Sequence, residues 1–108
     1  MPTGGADVNC RNGNGWAPLL GTTKVGHLNV TRLLLDHGAD IHLTTHHQWT
    51  PLHIAASNGY PEIVKLLLER GANVDAINED GKTPYREAMA SGYRKIAKIL
   101  SDHSARGT

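Results

Sequence analysis

The chain repeats itself with a fixed step. Gly5-Ala6-Asp7-Val8-Asn9 returns as Gly38-Ala39-Asp40-Ile41-His42 and again as Gly71-Ala72-Asn73-Val74-Asp75, 33 residues apart each time. Pro18, Pro51 and Pro84 keep that step, as do Gly26, Gly59 and Gly92, and Trp16 and Trp49 with Lys82 in the third place. Leu33-Leu34-Leu35 aligns with Leu66-Leu67-Leu68 and then Ile99-Leu100-Ser101. Chance can supply one such match, but not this many in one register. A period of this length signals supersecondary units that stack side by side. Repeats 5–37, 38–70 and 71–103 fill a single domain at 5–103 without an insertion, leaving short tails at 1–4 and 104–108.

The second copy shows what one unit does. Thr50 is a good N-cap, because its hydroxyl takes a free backbone N–H, and Pro51 suits the first helical position, where no N–H is needed. A helix is expected from Leu52 to about Asn58, stopped by Gly59 in a left-handed C-cap. Pro61 opens a second helix, with Glu62 at its positive end. Ile63, Val64, Leu66, Leu67 and Leu68 are apolar around most of its circumference, so neighbours must cover it on both sides. After Gly71 the chain runs extended through Ala72 to Ile77 and reaches the turn Asn78-Glu79-Asp80-Gly81. The unit is helix, turn, helix and a hairpin-like finger. Alone it cannot bury its apolar surface, whereas three stacked units can.

Trp49-Thr50-Pro51-Leu52-His53-Ile54-Ala55-Ala56-Ser57-Asn58-Gly59, followed by Glu62-Ile63-Val64-Lys65-Leu66-Leu67-Leu68 and Gly71-Ala72, resembles the ankyrin repeat. The resemblance spans about 99 of the 108 residues and implies an all-α ankyrin-repeat solenoid of three repeats, built from helix-turn-helix pairs with β-hairpin-like fingers. It implies a structural role for His53, whose ring bonds to backbone at the turn, and for His27 at the start of a second helix. It implies that Asp7, Asp40 and Asn73 stabilise turns.

The outer copies depart from the pattern. Copy one carries Ala17-Pro18-Leu19-Leu20-Gly21-Thr22-Thr23, which lacks the capping hydroxyl, the histidine and the alanines. Glycine and β-branched threonine disfavour a helix, so its first helix is expected to be weak, while its second, Leu28 to Asp36, matches well. Copy three carries Arg86, Lys95, Lys98 and Ser101 where an inner copy is greasier, as suits a terminal cap. Copy one has no such polar face on the helix bearing Val30, Leu34 and Leu35. That favours an alternative, in which the chain is a structural fragment of a longer array with its partner surface elsewhere.

Composition narrows the function. Hydrophobic residues make up 39% and charged residues 19%, unlike a disordered tail. Eleven basic and ten acidic side chains leave a charge of +1, so no global field draws the chain to nucleic acid or a membrane. Arg94, Lys95 and Lys98 form a small basic end, read as a solvated cap face. The single cysteine, Cys10, excludes an internal disulfide framework and a CxxC zinc site. Apolar runs of about three residues are too short to span a membrane, and Met1-Pro2-Thr3-Gly4-Gly5 lacks the features of a signal peptide. A monomer in the cytoplasm or nucleus is expected.

The residues point to binding rather than catalysis. Seven histidines raise the possibility of a metal. His42, His46 and His47 share one finger, but their spacing matches no structural zinc motif and no Cys or carboxylate is adjacent. His37 and His103 fall at helix ends, where an imidazole suits the negative pole. Gly13-Asn14-Gly15 lacks the rest of a phosphate loop, and no acid/base pair is present. No enzyme activity, metal or cofactor is expected. The resemblance implies a protein partner, bound non-covalently through finger tips and the concave row of first helices. Its outward positions are Asn14, Trp16 and Lys24 in copy one (with Gly13 and Val25), His46, His47, Trp49, Ser57 and Asn58 in copy two, and Glu79, Asp80 and Lys82 in copy three (with Ala90 and Ser91). Both tryptophans occupy the same outward place one repeat apart, and tryptophan is enriched in binding hot spots. The competing account of each ring is that it shields the stack.

Overall fold

The computed structural model describes residues 17–106. Among these are six helices and no strand: α1 (Pro18–Val25), α2 (Leu28–Asp36), α3 (Pro51–Asn58), α4 (Pro61–Glu69), α5 (Pro84–Ala90) and α6 (Arg94–Arg106). They stack as two rows. The first helices α1, α3 and α5 pack in sequence with α3 in the middle, and the second helices α2, α4 and α6 do the same around α4. None of the helices is long and apolar enough to cross a membrane. The last helix continues to Arg106, past the repeat boundary at 103.

The core lies where the rows meet. Leu52, Ala55 and Ala56 of α3, Ile63, Val64 and Leu67 of α4, and Ala88, Ile96, Ala97 and Leu100 beyond them form one buried cluster. Alanine at 55, 56, 88 and 97 keeps the helices close, since a methyl group fills little of the gap. A smaller cluster of Ala17, Leu20 and Ile54, with Leu43 and Trp49 against it, joins α1 to α3 and the second finger.

Glycine closes the first helices for a steric reason. Gly26 and Gly59 adopt left-handed φ values of 81° and 82°. A Cβ on either would stand 2.7 Å from the Tyr60 or Tyr93 ring of the next repeat. The Tyr60 hydroxyl also donates to the Lys24 carbonyl at 3.1 Å, fixing the end of α1 against copy two.

The expected weakness of the first helix of copy one meets a compensation. Ala17 supplies no side-chain cap, yet α1 runs its full eight residues with Leu19, Leu20 and Thr23 buried. Thr23 Oγ1 donates to the Leu19 carbonyl at 2.6 Å. Thr31 of α2 donates to Thr22 Oγ1 at 3.0 Å, so a hydroxyl pair links these helices where copy two uses Ala55 and Val64. Hydroxyls inside a helix are tolerated once they are bonded.

Copy three exposes Arg86, Lys95, Lys98 and Ser101, beside the partly apolar Tyr85 and Met89 of α5. Copy one exposes apolar residues on its second helix. Val30 and Leu33 are 44% and 55% exposed, whereas the equivalent Ile63 and Leu66 are 2% and 4% exposed. Helix α4 has a second-row neighbour on each side, while α2 has one, α4, among the described helices.

Candidate partner-binding cleft

Two fingers are tied down by one polar side chain each. In the second, Thr45 is buried and its hydroxyl accepts the backbone N–H groups of His47 and Trp49 at 3.2 and 3.3 Å. In the third, the buried Asn78 stands 33 residues later, and its Oδ1 accepts the N–H groups of Asp80 and Lys82, both at 3.0 Å. Backbone bonds close the same loops, from Thr45 N–H to Trp49 O and from Asn78 N–H to Lys82 O, each 3.0 Å. Asn78 has an amide left over, and it donates to the buried carboxylate of Glu87 at 2.7 Å. Thr45 has no such group and faces a copy in which Ile54 replaces the acid. Sequence reasoning missed this pair. The signal for it was two polar residues, Asn78 and Glu87, that change together relative to Thr45 and Ile54. At turns, Asp40 and Asn73 act as expected: their side chains accept the N–H of the residue two places on, at 2.9 and 3.0 Å.

His53 is structural, as the resemblance implied. Its ring is fully buried, and Nε2 donates to the Lys82 carbonyl at 2.8 Å. That carbonyl only accepts, so the hydrogen sits on Nε2 and Nδ1 is the acceptor. Nδ1 takes the Thr50 N–H at 3.2 Å and lies 2.8 Å from the Thr50 hydroxyl, completing a capping box. Burial pushes the imidazole below its ordinary value of 6.5, against the opposing pull of the Lys82 carbonyl and the Glu87 charge. It is held neutral and takes no part in a surface site.

Six of the outward residues meet at one concavity. Lys24 at the end of α1, Ser57 and Asn58 at the end of α3, and His46, His47 and Trp49 of the second finger line a cleft of about 380 Å³, floored in part by Ile54 and Thr45. Lys24, His46, His47 and Asn58 are exposed. Asn58 is aimed by its amide, which donates to the Ile54 carbonyl at 2.8 Å. The cleft walls carry one ammonium and two imidazoles but no carboxylate.

Trp49 answers to both accounts of it. The ring is half-buried, packs on Ala17, Leu20 and Ile54, and lies 6.0 Å from the His53 ring at 55°. One side therefore helps hold α1 to α3, and the other lines the cleft. Truncating it removes apolar contact inside the fold as well as on the surface. Trp16, Asn14, Gly13, Cys10 and Asp7 lie outside the described residues.

The third finger is set apart. Glu79, Asp80 and Lys82 do not line the cleft. The Glu79 carboxylate meets His47 Nδ1 at 3.1 Å, and its N–H donates to the His47 carbonyl at 2.9 Å, so it braces one finger against the next. The side-chain contact is exposed on both sides and adds little stability by itself. Lys82 works mainly through its backbone, receiving His53 and reaching Asn78. The finger histidines are also divided. His46 and His47 face the cleft, while His42 lines a different groove. Among the described residues no three His, Cys, Asp or Glu side chains gather as a metal set. His37 is exposed at the end of α2, with Nδ1 2.8 Å from the Leu33 carbonyl.

The sequence model that describes ankyrin repeats in three copies matches residues 3–78 and 39–108, which together span nearly the whole chain. No curated protein matches at a significant level.

Proposed function

Since the chain belongs to the ankyrin-repeat family, a family of protein–protein interaction modules, we propose that it holds a segment of a partner protein in the cleft between the second finger and the ends of α1 and α3. One observation carries this reading: six outward residues from two repeats converge on that one concavity, around a half-buried tryptophan. Tryptophan in a pocket ringed by polar groups has the anatomy of a binding hot spot. The end of α1 is locked by Tyr60 and the finger by Thr45, so little ordering is lost on association. Binding is non-covalent, the free chain is a monomer, and neither nucleic acid nor membrane is its target.

The test uses exposed residues, because Trp49 also packs inside. Lys24→Glu with His46→Glu leaves the helices intact by circular dichroism and removes a partner that the wild type captures from lysate. Equal capture by both proteins overturns the cleft as the site.

A second reading is supported by the uncovered face of α2. The exposure of Val30 and Leu33, against buried Ile63 and Leu66, suits a chain that is a segment of a longer array. Placing a further copy of residues 38–70 ahead of residue 5 tests it. Protection of the Val30 and Leu33 amides from hydrogen exchange supports that reading, and unchanged exchange counts against it.

A further inference from the structure

We infer that the other face of the second and third fingers is a separate docking surface, suited to an uncharged, extended peptide segment. A groove of about 500 Å³ runs between these fingers and shares no lining residue with the cleft. Three observations bear on it.

The first is a backbone anomaly. Gln48 has φ of 66° and is the one non-glycine residue with positive φ among those described. Its counterpart in copy three is Gly81, with φ of 74°, and in copy one the sequence has Gly15. Left-handed backbone crowds a Cβ against the carbonyl, so glycine is the residue this turn favours. Copy two, otherwise the most regular, keeps a long side chain there, and that side chain lines the groove. A strained residue at a surface concavity points to use of its side chain.

The second is Ile77, which is 59% exposed and lines the opposite bank. The third is charge. No Asp, Glu, Lys or Arg lines the groove, although such residues make up 19% of the chain. Polar side chains on the banks include Gln48, Asn73 and His42. A carboxamide both donates and accepts, which matches a peptide group. A charged segment would lose hydration here and meet no opposite charge. The fit is to backbone amides on the Gln48 side, with an aliphatic or aromatic side chain on Ile41 and Ile77.

The probe is a phage-displayed library of random 12-residue peptides panned on the whole chain. Peptides are then sorted by binding to the Lys24→Glu, His46→Glu protein, which removes those that need the cleft. The expected survivors lack charged residues in their central positions. They lose about tenfold or more in affinity on Gln48→Gly and on Ile77→Asp, as for a single interface contact worth about 1.4 kcal/mol or more. Gln48→Gly raises the melting temperature while it weakens binding, a combination that damage to the fold does not produce. The inference is overturned if survivors are charged, if Gln48→Gly binds them as well as the wild type, or if panning yields only cleft-dependent peptides or none.

Discussion

Copies one and two of this repeat have the same backbone plan and differ in how they hold it. In copy two the first helix is capped by Thr50 and His53, and the second is buried on both sides through Ile63, Val64, Leu66, Leu67 and Leu68. In copy one the cap is missing, and only Thr31 of α2 is buried. Threonine hydroxyls bonded to each other and to the Leu19 carbonyl take the place of alanine and valine packing. The same path through space is thus reached by apolar burial in one repeat and by bonded polar groups in the other. Burial is the larger effect, so copy two should be the firmer, and α1 with α2 should open first in native-state hydrogen exchange.

The largest expected contrast is between equivalent leucines. Leu67→Ala empties a fully buried site and should cost about 2–5 kcal/mol. Leu34→Ala, at the same place in the half-exposed α2, should cost about 1 kcal/mol, in line with its partial exposure. Urea midpoints measure both, and equal losses would remove the distinction between the copies.

His53→Ala comes next, at about 1–3 kcal/mol, because the Lys82 carbonyl and the Thr50 N–H lose a partner in a buried setting. The same ring predicts a pH dependence. Burial holds it neutral, with its affinity for a proton lowered in the fold. The unfolded chain takes up that proton as pH falls through 6.5 and the folded chain does not, so stability is full above 6.5 and declines below it until the folded ring also titrates. The slope is at most about 1.4 kcal/mol per pH unit. In His53→Asn this part of the decline should be absent, as thermal melts between pH 7 and pH 5 would record.

Caps give a smaller and opposite pair. Thr50→Ala should lose about 0.5–2 kcal/mol, while Ala17→Thr should recover part of a similar amount by supplying the hydroxyl that copy one lacks. Both shifts are read from the same urea curves. If Ala17→Thr does nothing, the bonded threonines have already offset the missing cap. The smallest expected effect is Gln48→Gly, a gain of about 1 kcal/mol from relieving left-handed backbone; a loss would mean that the turn is not strained.

Much of this was legible from a register. A step of 33 residues, with proline and glycine as punctuation, locates five helix starts and stops from one good copy. The roles of His53, Asp40 and Asn73 were implied by the resemblance; Asp40 and Asn73 act two residues from themselves, whereas His53 also reaches into the next repeat. The cleft was partly legible, because residues at equivalent positions fall on one side of a stack. What escaped depends on direction across a turn. His42 and His46 are four residues apart yet face different grooves. Glu79 shares its repeat position with His46 but turns to the backbone and ring of His47 instead of the cleft. Trp49 was assigned to the surface because its packing partners, Ala17 and Leu20, come from another repeat. The helix α1 looked weak because Thr31, which satisfies Thr22, lies in the following helix.

The bond from His53 to the Lys82 carbonyl has a consequence for how the chain comes apart. The cap of α3 belongs to copy two, but its last acceptor belongs to copy three. Cutting the chain after residue 70 would therefore do more than remove a repeat: it would uncover an imidazole whose acceptor has gone. Of the two divisions that periodicity draws along the sequence, the one between copies two and three is therefore not a seam along which the molecule separates. Copies two and three should melt as one cooperative unit, with the frontier of fraying between them and copy one.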